Sequence, residues 1–127
     1  MIIAFSLPVA TFEKDIQIKS DTVEFLKEVN QISFLNNVEI ISNFVSISAK
    51  SAIYDDHKQV ISIKGKPTSI ESNSGDTFFS GTAEKILFFN DEKVHLVGSA
   101  SMKYENISIS SNIIILNPKT GEFSSKE

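Results

Sequence analysis

The sequence predicts an all-β fold, a β-solenoid or a rolled sheet folded over on itself with a V-shaped or jellyroll cross-section, and no substantial helix. Three observations predict it. A short phrase of apolar residues at spacing two returns along the 127-residue chain. A second alternating phrase returns between the copies of the first. Glycine or asparagine recurs at one place in that second phrase.

The first phrase reads Ile16-Gln17-Ile18-Lys19-Ser20-Asp21, then Val45-Ser46-Ile47-Ser48-Ala49-Lys50. It returns as Gly81-Thr82-Ala83-Glu84-Lys85-Ile86 and Ile107-Ser108-Ile109-Ser110-Ser111-Asn112. Period two is the signature of a strand with one buried face. A unit that returns at a near-fixed interval cannot bury that face alone, so its neighbours complete the core. The second phrase runs Ile32-Ser33-Phe34-Leu35-Asn36, Ile61-Ser62-Ile63-Lys64-Gly65 and Val94-His95-Leu96-Val97-Gly98. Asn36, Gly65 and Gly98 are 29 and 33 residues apart, and Ile18–Ile47 and Ala49–Ala83 are 29 and 34 apart. Two series thus share one period. Glycine within a strand marks a bulge, a bend or a close backbone approach. Repeated at one position, it predicts a line along which the sheet folds, with apolar side chains of both walls inside.

Clusters rich in Gly, Asn, Asp and Pro mark the turns. They are Glu28–Gln31, Asp55–Lys58, Asn73–Asp76, Asn90–Lys93 and Asn117–Gly121. Asp21–Asn30 could cap a helical turn, with Asp21 at the N-cap and Glu24 three residues later. Its β-branched and aromatic residues and its place in the repeat favour strand. The apolar start, Met1–Ala10, is too short to span a bilayer. It reads as a signal-peptide remnant without its positive stretch, or as a disordered tail or terminal strand. Residues 1–12 are therefore set aside, and residues 13–127 are taken as one domain.

Composition excludes several function classes. There is no cysteine, so no disulfide, thiolate metal site or cysteine nucleophile exists. The net charge is −4, and all 12 basic residues are lysine. An acidic surface without arginine argues against nucleic acid as a partner. His57 lies in a turn, and His95 lies between Val94 and Leu96, pointing away from their face. Asp55-Asp56 and Asp91-Glu92 are turn formers rather than facing carboxylates. No nucleophile motif, calcium loop or phosphate-binding glycine loop is present. The chain reads as a non-enzyme, with no catalytic residue, no metal site and no cofactor.

What remains is the apolar face. It comprises Ile16, Ile18, Phe25, Ile32, Phe34, Val38, Ile40, Val45, Ile47, Ile61, Ile63, Ile70, Ile86, Phe88, Leu96, Met102, Ile107, Ile109 and Ile114. Periodicity leaves two readings of it open: a dry core, or a groove that receives hydrocarbon chains at about 0.8 kcal/mol for each CH₂ buried.

The order of these motifs resembles the LptA/OstA-like family of periplasmic lipopolysaccharide transport proteins, over roughly residues 15–123. The likeness rests on Ile16–Asp21, Ile32–Val38, Gly65-Lys66-Pro67-Thr68-Ser69-Ile70, Gly81–Ile86, Val94–Ala100 and Ile109–Ile114. The chain departs from the family pattern at Asn36, usually glycine, and at Ser111 and Asn112, usually Gly-Asp. The resemblance implies a twisted antiparallel β-jellyroll that holds lipid A acyl chains in its interior and carries lipopolysaccharide across the periplasm. It implies head-to-tail homo-oligomers and pairing with LptC-like and LptD-like proteins through the terminal strands, around residues 15–25 and 107–116. Carried over, the lipid-binding residues are Ile16 and Ile18 at the entrance, and Ile70, Ile86 and Phe88 inside. Phe34, Ile47, Ile63 and Leu96 join them from the same apolar face. The family has Phe at the place of Ile70 and Tyr at the place of Phe88. The alternative is a structural, self-assembling β-module without a lipid ligand.

Overall fold

A computed structural model describes residues 2–5, 16–73, 78–91 and 93–126, with side chains given from residue 16 onward. Ten strands form one sheet: β1 (Ile2–Phe5), β2 (Ile16–Lys19), β3 (Thr22–Leu26), β4 (Gln31–Ile41), β5 (Val45–Asp55), β6 (Val60–Ser72), β7 (Phe79–Phe89), β8 (Val94–Tyr104), β9 (Ile107–Leu116) and β10 (Phe123–Lys126). Every pairing is antiparallel, and from β4 onward each strand pairs with the next in sequence. Both β2 and β3 pair with β4, and β1 pairs with β2.

The sheet is broken along one line. The register shifts between Leu35 and Val38, Ser48 and Ser51, Lys64 and Thr68, Thr82 and Lys85, and Val97 and Ala100. Each shift lies midway along its strand, so together they form a crease that crosses β4 to β8. The predicted bends at Asn36, Gly65 and Gly98 all lie on it. Asn36 (φ 67°), Asn37 (φ 53°) and Gly98 (φ 85°) adopt the left-handed conformation, which asparagine and glycine reach at least cost. The segment Ser20-Asp21 turns the same corner. The Asp21 N–H donates to the Asn36 carbonyl at 2.9 Å, and Asn37 Nδ2 donates to Asp21 Oδ2 at 2.7 Å. Thus β2 and β3 are two halves of one strand, pinned to β4 at the crease.

The crease divides the sheet into two walls. Wall one holds β3, Gln31–Leu35, Ser51–Asp55, Val60–Lys64, Lys85–Phe89, Val94–Val97, Ile113–Leu116 and β10. Wall two holds β1, β2 and the other halves of β4 to β9.

The 21–30 segment forms strand β3 followed by a single 3-10 turn at Lys27–Val29, closed by Asn30 in the left-handed region. Of the set-aside segment 1–12, Ile2–Phe5 forms strand β1, and the remainder lies outside the described residues, as does most of the 73–76 turn.

Candidate functional site

The inward side chains form continuous rows across neighbouring strands. In wall one a row runs Phe34, Ala52, Ile63, Ile86, Leu96, Ile114, and beside it runs Ile32, Tyr54, Ile61, Phe88, Val94, Leu116. In wall two a row runs Ile18, Ile40, Ile47, Ile70, Gly81, Met102. Smaller residues (Val38, Thr68, Ala83, Ala100) stand inside next to the crease, where the walls converge. Cross-strand rows of this kind are the unit that stabilises a sheet, and here each row also packs on the opposite wall.

All nine residues singled out from the sequence lie in this interior. Phe34, Ile63, Ile86, Phe88 and Leu96 belong to wall one, and Ile16, Ile18, Ile47 and Ile70 to wall two; none is more than 3% exposed. They belong to one core cluster. The walls touch directly. Leu96 Cδ1 lies 3.2 Å, and Ile70 Cγ2 3.5 Å, from where a Cβ would stand at Gly81. At the far end the rings of Tyr104 and Phe123, on opposite walls, are 5.6 Å apart.

Nothing ionisable with a charge at neutral pH is buried among the described residues. The buried polar side chains are Ser20, Ser42 and Thr68. Each is satisfied locally: Thr68 Oγ1 donates to the Ser48 carbonyl at 2.9 Å, and Ser20 Oγ to the Thr22 carbonyl at 2.9 Å. Ser42 Oγ accepts from the Val45 N–H at 3.3 Å. An unpaired charge is costly in such a space and an alkyl chain is not. Perturbed ionisable groups lie outside it. Burial beside the Phe89 ring, 4.6 Å away, holds the His95 imidazole below its usual range. Asp55 is held low by the backbone N–H of Lys58 and the side chain of Gln31.

Two predicted interior residues are not buried. Phe25 is 62% exposed and Ile107 is 60% exposed. Both still belong to inward rows, since Phe25 stands opposite Ile32 and Ile107 opposite Tyr104. They are exposed because β3 and the first half of β9 are edges, with no further strand among the described residues to cover them. Val23, 36% exposed and opposite Phe34, shares that position. Period-two alternation reports which face a side chain takes, not whether its strand has two neighbours. Residue exposure at both sheet ends was therefore illegible, although the apolar residues on the terminal strands were its trace. Ile32 and Ile109 are half-buried and pack against the core.

A family profile described as LptA/(LptD N-terminal domain) LPS transport protein matches residues 17–122. The chain belongs to this lipopolysaccharide transport family. Among solved structures, it is similar to LptH, described as the LptA homologous periplasmic component of the conserved lipopolysaccharide transport device from Pseudomonas aeruginosa. That match has 15% identity and a TM-score of 0.77, covering 92% of this chain and 85% of LptH. At that identity it speaks for the fold, the same LptA-like jellyroll. No curated protein matches the sequence. Membership of the LptA/LptD N-terminal family is membership of a transport family, and the creased sheet with its apolar interior is the part of the molecule that bears on that role.

Proposed function

We propose that this chain is a periplasmic bridge protein. It holds lipid A acyl chains between its walls while the sugars of lipopolysaccharide stay outside. The observation that carries this reading is the interior itself: two facing apolar walls joined along the crease, with no charge buried among the described residues. When the walls part, acyl chains replace wall-to-wall contacts with contacts of the same kind, each CH₂ contributing about 0.8 kcal/mol. Ile16 and Ile18 stand at the N-terminal end of wall two, and Ile47, Ile63, Ile70, Ile86, Phe34, Phe88 and Leu96 line the path beyond them. In this reading the protein moves lipid without cleaving a bond.

The edges supply the route between molecules. Exposed Phe25 on β3 and Ile107 on β9 end the inward rows at opposite ends of the sheet. Unpaired strands invite pairing, and β-augmentation would join the rows of successive copies. The same edges would receive an LptC-like protein from the inner-membrane side and an LptD-like protein at the outer membrane. With residues 13–127 as the mature domain, removal of the apolar start would also bare β2, which β1 covers.

A second reading, a self-assembling module with a dry core, is favoured by the direct contact of Leu96 with the Gly81 backbone site. Photo-crosslinking from Ile18, Ile70 and Phe88 in cells separates the two. Adducts with lipopolysaccharide support the bridge. A folded protein without adducts at any of the three positions removes it.

A further inference from the structure

The outer surfaces of the two walls are chemically unlike. On wall two an outward row crosses five strands as Ser48, Ser69, Thr82, Ser101 and Ser110. On wall one the two outward rows nearest the crease, followed from β4 to β10, hold six aliphatic residues: Leu35, Ile53, Leu87, Val97, Ile113 and Ile115. They also hold Lys64, Lys85 and Lys126; the carboxylates of this face, Glu24 opposite Ser33 on β3 and Asp55 opposite Gln31, lie at its edges. In a chain with 16 acidic and 12 basic residues, the strands of this face carry three lysines against two carboxylates, and the lysines lie among the aliphatic rows. Leu35 and Ile53 are exposed and the other four aliphatics half-buried.

Among the described residues, no ion pair holds these lysines. Lys64 stands directly opposite Lys85, an arrangement of like charges that weakens a sheet. The ion pairs among the described residues lie elsewhere, at Lys19–Glu39 and Lys93–Asp91. At the crease, Lys50, Lys64 and Lys66 line a shallow cleft of about 570 Å³. The cleft is also lined by Glu84, which accepts from Ser99 Oγ at 3.4 Å.

We propose that the outer face of wall one rests on an anionic lipid bilayer, its aliphatic rows at headgroup depth and its lysines among the headgroup charges. Lysine is a point charge on a flexible stem, and the chain has no arginine. Such a set suits a diffuse anionic layer rather than the fixed carboxylates of a folded partner. Aliphatic residues bordered by lysines whose stems reach past them form the pattern of an interfacial surface. This inference does not rest on acyl chains entering the interior, because the inward and outward rows are separate residues.

The test is co-sedimentation of the full chain with two kinds of vesicle. One is phosphatidylcholine alone; the other mixes equal parts phosphatidylcholine and phosphatidylglycerol. Neither contains lipopolysaccharide, so the outcome is independent of the bridge reading. Binding is expected to the mixed vesicles only, and to weaken as salt is raised. The triple variant Lys64→Glu, Lys85→Glu, Lys126→Glu is expected to lose on the order of 100-fold in partition. Lys19→Glu, Lys103→Glu, Lys119→Glu makes the same change in net charge off this face and is expected to lose less than about tenfold. A chain carrying Leu87→Ser and Ile115→Ser, with all lysines kept, is expected to bind more weakly as well. The corresponding Lys→Gln triple gives the same ranking if the charge-reversed chain does not fold. Failure of the native chain to bind mixed vesicles overturns the inference. So do equal losses in the two charge-reversed variants, or a face that instead pairs two copies by sedimentation velocity without binding vesicles.

Discussion

Leu96 of wall one reaches into the space that a β-carbon would fill at Gly81 of wall two, its Cδ1 3.2 Å from that position. The same position is 2.9 Å from the Ser101 carbonyl oxygen of the neighbouring strand. The glycine sits in an otherwise large-residue row, between Ile70 and Met102. It is there for want of space, not for an unusual backbone. Gly81→Ala must push the walls or the β7–β8 pairing apart, because backbone cannot yield as a flexible side chain can. We expect a loss of about 1–3 kcal/mol, read as a lower urea midpoint with little change in slope. Native-like stability of Gly81→Ala would show that the wall contact is looser than the geometry implies.

At Gly98 two constraints coincide. The residue adopts φ 85°, and Glu84 Oε1 lies 2.6 Å from where its Cβ would be. Gly98→Ala should cost about 1–2 kcal/mol from the left-handed backbone alone, with a further steric cost from Glu84. Removing the carboxylate separates the two. In a thermal-melt series, Glu84→Ala placed in the Gly98→Ala chain should recover part of the loss but not all of it. Full recovery, or none, would contradict this division.

The crease was half legible in the sequence, and the two constraints at Gly98 explain which half. Positions that need a positive φ select asparagine or glycine, so Asn36 and Gly98 stood out. Gly65 is close to the backbone of Pro67 and Thr68 rather than left-handed, and it stood out for its small size. The same line crosses β5 near Ala49-Lys50 and β7 near Ala83-Glu84. Those residues have ordinary backbone angles and carry no such mark. The inward rows were legible because alternation fixes the face of each strand. Which inward residues would be covered was not, since Phe25 and Ile107 differ from Phe34 and Ile114 in how many strands flank them. The outward rows of wall one escaped notice for a related reason. Lys64 and Lys85 are 21 residues apart in sequence, and only the register places them opposite each other.

The exposed row ends predict a separation between stability and assembly. Phe25→Glu and Ile107→Lys alter side chains that are mostly in water, so each should change folding stability by less than about 0.5 kcal/mol. Each should nonetheless weaken self-association, because a charge at an edge opposes strand pairing. Sedimentation velocity over a concentration series measures this. Unchanged association in both variants would mean that the copies do not join through β3 and β9.

His95 gives a pH dependence whose sign follows from its surroundings. Burial lowers its pKa from 6.5, opposed by Asp91 and reinforced by Lys126 and Lys93. The unfolded chain therefore takes up the proton more readily than the folded one. Stability attributable to this residue is whole above the unfolded value and is lost as pH falls from 6.5 through the lower folded value. The opposite shift, from a stabilised imidazolium, would strengthen the fold in that window. A His95→Gln chain has no such proton to bind. Its unfolding midpoint should fall less than that of the native chain between about pH 7.5 and about pH 5. The Asp55 contribution lies lower, around its reference value of 3.8 and below, and so leaves this window clear. Parallel curves for the two chains would mean that the imidazole is as well solvated in the folded protein as out of it.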